Sequence, residues 1–383
     1  MSVTTPRGFR AAGVTAGLKA SGRPDLALVV NDGPDHHAAA VFTGNRVEAA
    51  PVTWSRTVVA DGRADAVVLN SGGANACTGT PGFQDTHRTA EHVGAALGVA
   101  PGDVVVCSTG LIGERLPMQV LLPGIDAAAA GLVADGGPAA AEAILTTDTV
   151  AKTAVARREG WSVGGMAKGA GMLAPALATM LVVLTTDAVV DGRDLDGVLR
   201  AATATTFDRI DSDGCMSTND TVALLASGAS GVEVGADDLA DAVTEVCASL
   251  ARQLIADAEG AHHDIAVEVR SAASVDDALE VARAVARNNL FKCAVFGNDP
   301  NWGRVLAAVG TTSAAFEPAS LDVSMNGVAV CRAGGVGEDR ALVDLTAREV
   351  HVVVDLHAGD ATATIWTNDL THDYVHENSA YST

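Results

Sequence analysis

The chain has 383 residues, of which 48% are hydrophobic but only 3% aromatic, and its formal net charge is −22. That length suffices for two domains or one large layered unit, and so few aromatics require a core of closely packed Ala, Val and Leu. The acidic balance repels phosphate backbones and argues against a nucleic-acid partner. No run reaches the roughly 18 apolar residues of a membrane span, and MSVTTPRGFRAAG at the start lacks a signal peptide's apolar core. The six cysteines (Cys77, Cys107, Cys215, Cys247, Cys293 and Cys331) are scattered without a CxxC pair. That pattern points to reduced thiols in a soluble, cytoplasmic protein, and away from a zinc site or a disulfide framework.

In chain order, LALVV (Leu26–Val30), AVVLN (Ala66–Asn70) and VVVCS (Val104–Ser108) read as buried strands. Gln84 to Leu97 sets Ala90, Val93, Ala96 and Leu97 on one face and reads as a helix. The Ala- and Gly-rich stretch Ala127–Ala143 reads as a surface helix and turn. Asp237 to Asp257 and Ser274 to Asn288 are further helices, the second opened by a capping signature, Ser274 with Asp277. A hairpin is expected around Asn326-Gly327, and another where HVVVDL and ATATIW flank HAGD. Strands and helices are intermixed without strict βαβ order, which predicts an α+β layered fold rather than a doubly wound sheet.

The most informative stretch is MAKGAGMLAPALATMLVVLTTD, Met166–Asp187. Its apolar run is broken by one threonine, Thr179, downstream of Lys168 and a Gly169, Gly171 loop. A threonine hydroxyl needs a base, and one solution is a threonine whose own α-amine serves, which requires it to begin a chain. The catalytic reading therefore demands self-cleavage between Ala178 and Thr179. The ordinary reading is a buried strand holding a β-branched residue.

Within that stretch, KGAGMLAP followed by ATML and TTDA resembles the cleavage-site signature of the ornithine acetyltransferase family, the bifunctional glutamate N-acetyltransferases of arginine biosynthesis. STGLIGE (Ser108–Glu114), TTDT (Thr146–Thr149), STNDT (Ser217–Thr221), AEGA (Ala258–Ala261) and the C-terminal ENSAYST also look like family segments, in family order across nearly the whole chain. The resemblance implies an α/β sandwich of the ornithine acetyltransferase type and an N-terminal-nucleophile enzyme. It implies an alpha chain, residues 1–178, and a beta chain, 179–383, that stay together as a heterotetramer of two of each. The implied reaction moves an acetyl group from N2-acetyl-L-ornithine to L-glutamate through acetyl-Thr179. It needs no metal and no organic cofactor, and acetyl-CoA is a second donor if the enzyme is of the bifunctional kind.

The same resemblance places the oxyanion hole on Thr109 and Gly110. From the residues alone, that segment also reads as a Gly turn after a strand. Substrate contacts carry over to Thr147, Lys168, Thr179, Glu259, Asn378 and Thr383. Their types suit an α-amino acid: Lys168 as cation for the α-carboxylate, Glu259 for the ornithine ammonium, and Thr147, Asn378 and Thr383 as hydrogen-bonding groups. The ordinary reading of Lys168 and Glu259 is solvated surface charge. Family members usually follow Glu-Gly-Ala with Thr-Lys, where this chain has His262-His263. Adjacent histidines on a strand point to opposite faces, so they read as surface or edge residues rather than metal ligands. Ala176 stands where an Asn is common. Asp208–Asp220 is not a calcium loop, since counting back from Gly214 puts Arg209 at the first ligand position. Rival readings are an N-terminal-nucleophile amidase or aminopeptidase, an uncleaved binding protein, and a secondary-metabolism acetyltransferase.

Overall fold

The computed structural model describes residues 2–174 and 180–380. The chain divides into two compact units. One holds the described residues up to Asp208 together with Cys215–Asp257, and the other holds Arg209–Gly214 together with the described residues from Ala258 onward.

In the first unit the strands are β1 (Phe9–Val14), β2 (Leu26–Asn31), β3 (His37–Phe42), β4 (Ala66–Ser71), β5 (Val104–Thr109), β6 (Lys152–Arg157), β7 (Ser162–Lys168), β8 (Leu181–Thr186) and β9 (Thr221–Ala226). They form two sheets, ordered β1-β2-β4-β5 and β3-β9-β8-β7-β6. The helices are α1 (Ala50–Val58), α2 (Gly79–Leu97), α3 (Met118–Ala130), α4 (Gly137–Ala143), α5 (Leu195–Thr205) and α6 (Ala236–Ala256). Strands β2, β4, β5, β8 and β9 are buried at every residue. Continuous apolar runs such as ALVV and LVVL belong on such strands, because both faces meet other layers. One face of the four-stranded sheet packs Leu28, Val68 and Val106 against α2 and α3 through Val93, Leu121 and Ile125. The other face packs Val29, Leu69 and Val105 toward α1, α4 and the five-stranded sheet through Val52, Ile144, Val183 and Leu225. Helix α6 covers the far side of that sheet.

The second unit has β10 (Asp264–Ala272), β11 (Asp322–Met325), β12 (Val328–Arg332), β13 (Gly335–Val336), β14 (Glu349–Asp355) and β15 (Ala361–Asn368), with helices α7 (Val275–Ala286), α8 (Asn289–Phe296), α9 (Trp302–Val309) and α10 (His372–Ala380). Its sheet runs β13-β12-β11-β14-β10-β15. Burial alternates along β10, β14 and β15, as in a sheet with one covered face. That face packs Val267, Val352 and Ile365 on Val281, Phe291 and Val305.

The α+β expectation holds, and so do the three early strands. The helix expected from Gln84 starts earlier, at Gly79. Asn326 and Gly327 take φ of 45° and 85° and close the β11/β12 hairpin, as the Asn-Gly signal requires. The HAGD hairpin does not form. Strand β10 lies between the two segments, parallel to β14 and antiparallel to β15. The turn instead donates Ala358 and Gly359 N–H to Ser271 O at the end of β10. Ala127–Ala143 is not a surface helix either: it ends α3 and makes α4, whose Ala140, Ala141 and Ala143 are fully buried. Among the described residues no helix is long and apolar enough to cross a membrane.

The predicted cap is present: Ser274 accepts from Asp277 N at 3.0 Å at the start of α7. Ser274→Ala should cost about 1 kcal/mol, read as a lower denaturant midpoint at unchanged slope.

Candidate active site

Strand β5 delivers Thr109, and the chain turns at Gly110 with φ +130°. A Cβ there would lie 2.5 Å from Gly73 N and 2.8 Å from Gly72 C, both backbone atoms that cannot yield, so glycine is required. The turn is held on several sides. Gly72 and Gly73 N–H donate to Thr109 O at 2.9 and 3.0 Å. Asn219 Nδ2 donates to Ser108 O at 2.9 Å and Ala74 O at 2.7 Å, and Ser108 Oγ donates to Asn70 Oδ1 at 2.6 Å.

Lys168 ends β7, and its register partner Leu181 opens β8. The expected cleavage site therefore lies in the connection between two hydrogen-bonded neighbours. The ordinary reading of Lys168 as solvated charge is wrong: it is 1% exposed. Its Nζ donates to Thr109 Oγ1 at 3.4 Å and lies 3.9 Å from Asp148 Oδ2.

Asp148 is the hub of a buried charge cluster. Oδ1 accepts from Lys152 Nζ at 2.7 Å and Gly169 N at 2.6 Å, and Oδ2 accepts from Thr146 N at 3.0 Å. Lys152, fully buried, also donates to Asp257 Oδ2 at 2.5 Å, and Asp257 accepts from Thr149 N at 3.0 Å. Burial alone would raise the Asp148 carboxyl. The ammonium groups of Lys168 and Lys152 outweigh it and hold the group down at about 2. The stability that Asp148 contributes is thus present above the ordinary carboxylate range and lost as pH falls toward 2.

Two more acids and a cation approach this region. Asp220 Oδ1 accepts from Met180 N at 3.0 Å, while Oδ2 is buried with no hydrogen bond among the described residues. Burial pushes this carboxyl well above its ordinary range, against the Met180 N–H. Asp25 accepts from Ala16, Gly17, Leu18 and Lys19 N–H, shaping the loop that carries Lys19. Lys19 Nζ donates to Leu145 O at 2.6 Å, one residue before TTDT, and burial lowers it to about 8. Cys107 is no rival nucleophile, since burial pushes its thiol up to about 12.

Of the residues expected from sequence, Thr109, Gly110 and Lys168 come together. Thr147 lies half-buried in a loop pinned on both sides by Asp148 and Asp257. In the second unit, Asn378 Nδ2 donates to Glu259 Oε2 at 2.9 Å. Ala178, Thr179 and Thr383 lie outside the described residues. His262 and His263 are in the loop before β10, not on a strand, and His263 is buried rather than a surface or edge residue. Its Nδ1 lies 2.7 Å from Asp369 Oδ2 and its Nε2 2.9 Å from Leu345 O, so it is a structural link. Exposed His262 pairs with Asp373 at 2.8 Å. Among the described residues no three His, Cys, Asp or Glu side chains gather to hold a metal.

Sequence reasoning missed Asp148, Lys152, Asp257, Asn219 and Asp220 as supports of the site. The first and the last two lie inside TTDT and STNDT, so the motifs were signals for them. Lys152 and Asp257 carried no local signal, because each matters only through burial beside the other.

The chain is 68% identical over 382 residues to the arginine biosynthesis bifunctional protein ArgJ of Streptomyces coelicolor, covering 100% of both chains. It is 66% identical over 383 residues to the protein of that name from Thermobifida fusca, again covering 100% of both. Among solved structures, ornithine acetyltransferase of Mycobacterium tuberculosis complexed with ornithine is 56% identical. The match has a TM-score of 0.45 and covers 47% of this chain and 96% of that one. The ArgJ family profile matches residues 10–383, and the chain belongs to the ArgJ family.

Proposed function

We propose that this protein is the glutamate N-acetyltransferase of the cyclic arginine pathway, moving acetyl from N2-acetyl-L-ornithine to L-glutamate. The observation that carries the reading is the rigid Thr109–Gly110 turn beside Lys168, at the end of the strand that leads into KGAGMLAP. An acyl transfer needs preorganised donors where negative charge develops, and this turn offers a hydroxyl and a backbone N–H.

In the precursor, the Thr179 hydroxyl attacks the Ala178 carbonyl in an N-to-O acyl shift that breaks the amide and frees the Thr179 α-amine, and water then hydrolyses the ester to release the Ala178 carboxylate and restore the Thr179 hydroxyl. That amine, with an ordinary pKa of about 7.7–8.0, is partly neutral near pH 7 and serves as base. The hydroxyl then attacks the acetyl carbonyl of N2-acetylornithine. The amine takes its proton and returns it to departing ornithine. Glutamate attacks the acetyl-Thr ester and leaves as N-acetylglutamate. Lys168 is assigned to the substrate's α-carboxylate and Glu259 to the ornithine ammonium, with Thr147, Asn378 and Thr383 as hydrogen-bonding groups. No metal or organic cofactor enters. Acetyl-CoA is proposed as a second donor because the relatives are called bifunctional.

Because β7 and β8 are adjacent strands of one sheet, a cut at Ala178/Thr179 leaves the fragments joined by six register pairs, Val163↔Thr186 through Lys168↔Leu181. This supports chains 1–178 and 179–383 staying associated; a heterotetramer of two of each is proposed from the family resemblance alone.

Intact-mass spectrometry before and after N2-acetylornithine should show two fragments split at Ala178/Thr179, with one acetyl group on the second. Thr179→Ala should stay whole and inactive; cleavage and activity as before would sink the mechanism. Cleavage without acetylation, with water as acceptor, would favour the amidase. Gly110→Ala should lower kcat about 10²–10³-fold, because the added methyl displaces the turn. A tag directly after Thr383 should impair activity, and equal specific activity with and without it would remove Thr383 from the site.

A further inference from the structure

Among the described residues the half-buried Thr147 has no hydrogen-bond partner for its hydroxyl. The group is open to a ligand, and its placement rests on the chain around it. Asp148 Oδ2 takes Thr146 N and Asp257 Oδ2 takes Thr149 N, both at 3.0 Å. The segment leading into Thr147 is held from elsewhere in the first unit. Ser71 Oγ donates to Ala143 O at 2.6 Å, and Lys19 Nζ donates to Leu145 O at 2.6 Å and to Pro24 O at 2.9 Å. Lys19 is itself fixed at its backbone. The fully buried Asp25 carboxylate takes four successive N–H groups, those of Ala16, Gly17, Leu18 and Lys19. Two carbonyls hold the Lys19 ammonium, so no ion pair among the described residues offsets its burial.

Resting on the acyl-transfer reading above, we propose that Lys19 is a positioning residue for Thr147: its ammonium, presented by the loop that Asp25 folds, pins Leu145 O and so sets where the Thr147 hydroxyl meets the substrate. Lys19 touches no reacting atom in this role. A contact made equally with bound substrate and transition state changes binding more than turnover, so the effect belongs to KM. The charge on Lys19 also counts, because a hydrogen bond from an ammonium is stronger than one from a neutral amine. Burial lowers the ammonium to about 8, with Arg23 and Lys168 pushing the same way and Asp25 and Asp148 opposing. The clamp is therefore at full strength below that pH and weakens as pH rises through it.

The test is steady-state transfer from N2-acetylornithine to glutamate by the full-length protein as wild type, Lys19→Met, Thr147→Val and the double variant. Lys19→Met should raise KM for N2-acetylornithine about tenfold or more, as for loss of a charged hydrogen bond, with kcat within about threefold. The double variant should have the KM of Thr147→Val. Effects that multiply, a fall in kcat at unchanged KM, or Lys19→Met chains that stay uncleaved would overturn the proposal, because Lys19 would then act elsewhere than on Thr147. The ratio of KM between Lys19→Met and wild type should shrink as pH rises through about 8, and a ratio constant across that range contradicts a clamp that depends on charge. Should Lys19→Met fail to fold, Lys19→Gln, which keeps a neutral donor, takes its place, with a smaller rise in KM and the same coupling to Thr147→Val expected. A wild-type KM in Thr147→Val would remove Thr147 as a substrate contact and this proposal with it, leaving the acyl-transfer reading standing. Wild-type protein that moves no acetyl group at all would sink that reading instead.

Discussion

The buried charge cluster around Asp148 is the constraint on which the site depends. Two carboxylates, Asp148 and Asp257, share the fully buried Lys152 ammonium, and Asp148 also faces Lys168. Burying one such ion unpaired is strongly unfavourable, whereas a closed set with satisfied hydrogen bonds is tolerated and geometrically specific. The cluster joins the TTDT loop, the start of β6, the loop after β7 and the end of α6. None of these segments can shift without uncovering a charge.

The layers explain why the polar groups of the candidate site sit at strand ends. Strands buried on both faces leave their ends as the places where polar groups emerge. Thr109 and Lys168 end β5 and β7, and Met180 immediately precedes β8. STNDT then works in two directions: Asn219 grips the carbonyls of Ser108 and Ala74, and Asp220 grips the amide of Met180. If the chain is cut at Ala178/Thr179, this one segment of the second fragment holds both the Thr109–Gly110 turn of the first and Met180, the residue after Thr179.

Several local signals were sound because their physics is local. The Ser274 cap and the Asn326-Gly327 turn involve residues within three positions, so tertiary context had little to add. The HAGD segment failed for the opposite reason. Alternation and a turn mark two strands, but nothing in either strand states whether the other or a third lies beside it, and β10 took that place. His263 failed likewise, since its partners Asp369 and Leu345 are distant in sequence.

The sequence by itself determined the family, through ordered motifs that span the chain, and the layered α+β class, through strands and helices intermixed without strict βαβ order. It also offered the candidate groups Thr109, Gly110, Lys168, Thr179 and Glu259, through the family resemblance of the motifs that carry them. Only the tertiary structure decided that Lys168 is buried against the Thr109 hydroxyl, that Lys152 and Asp257 complete the Asp148 cluster, and that Asn378 meets Glu259. Those are contacts between residues 59 to 119 positions apart. Burial and counter-charge at such separations are set by how layers pack, which no local pattern of residues encodes.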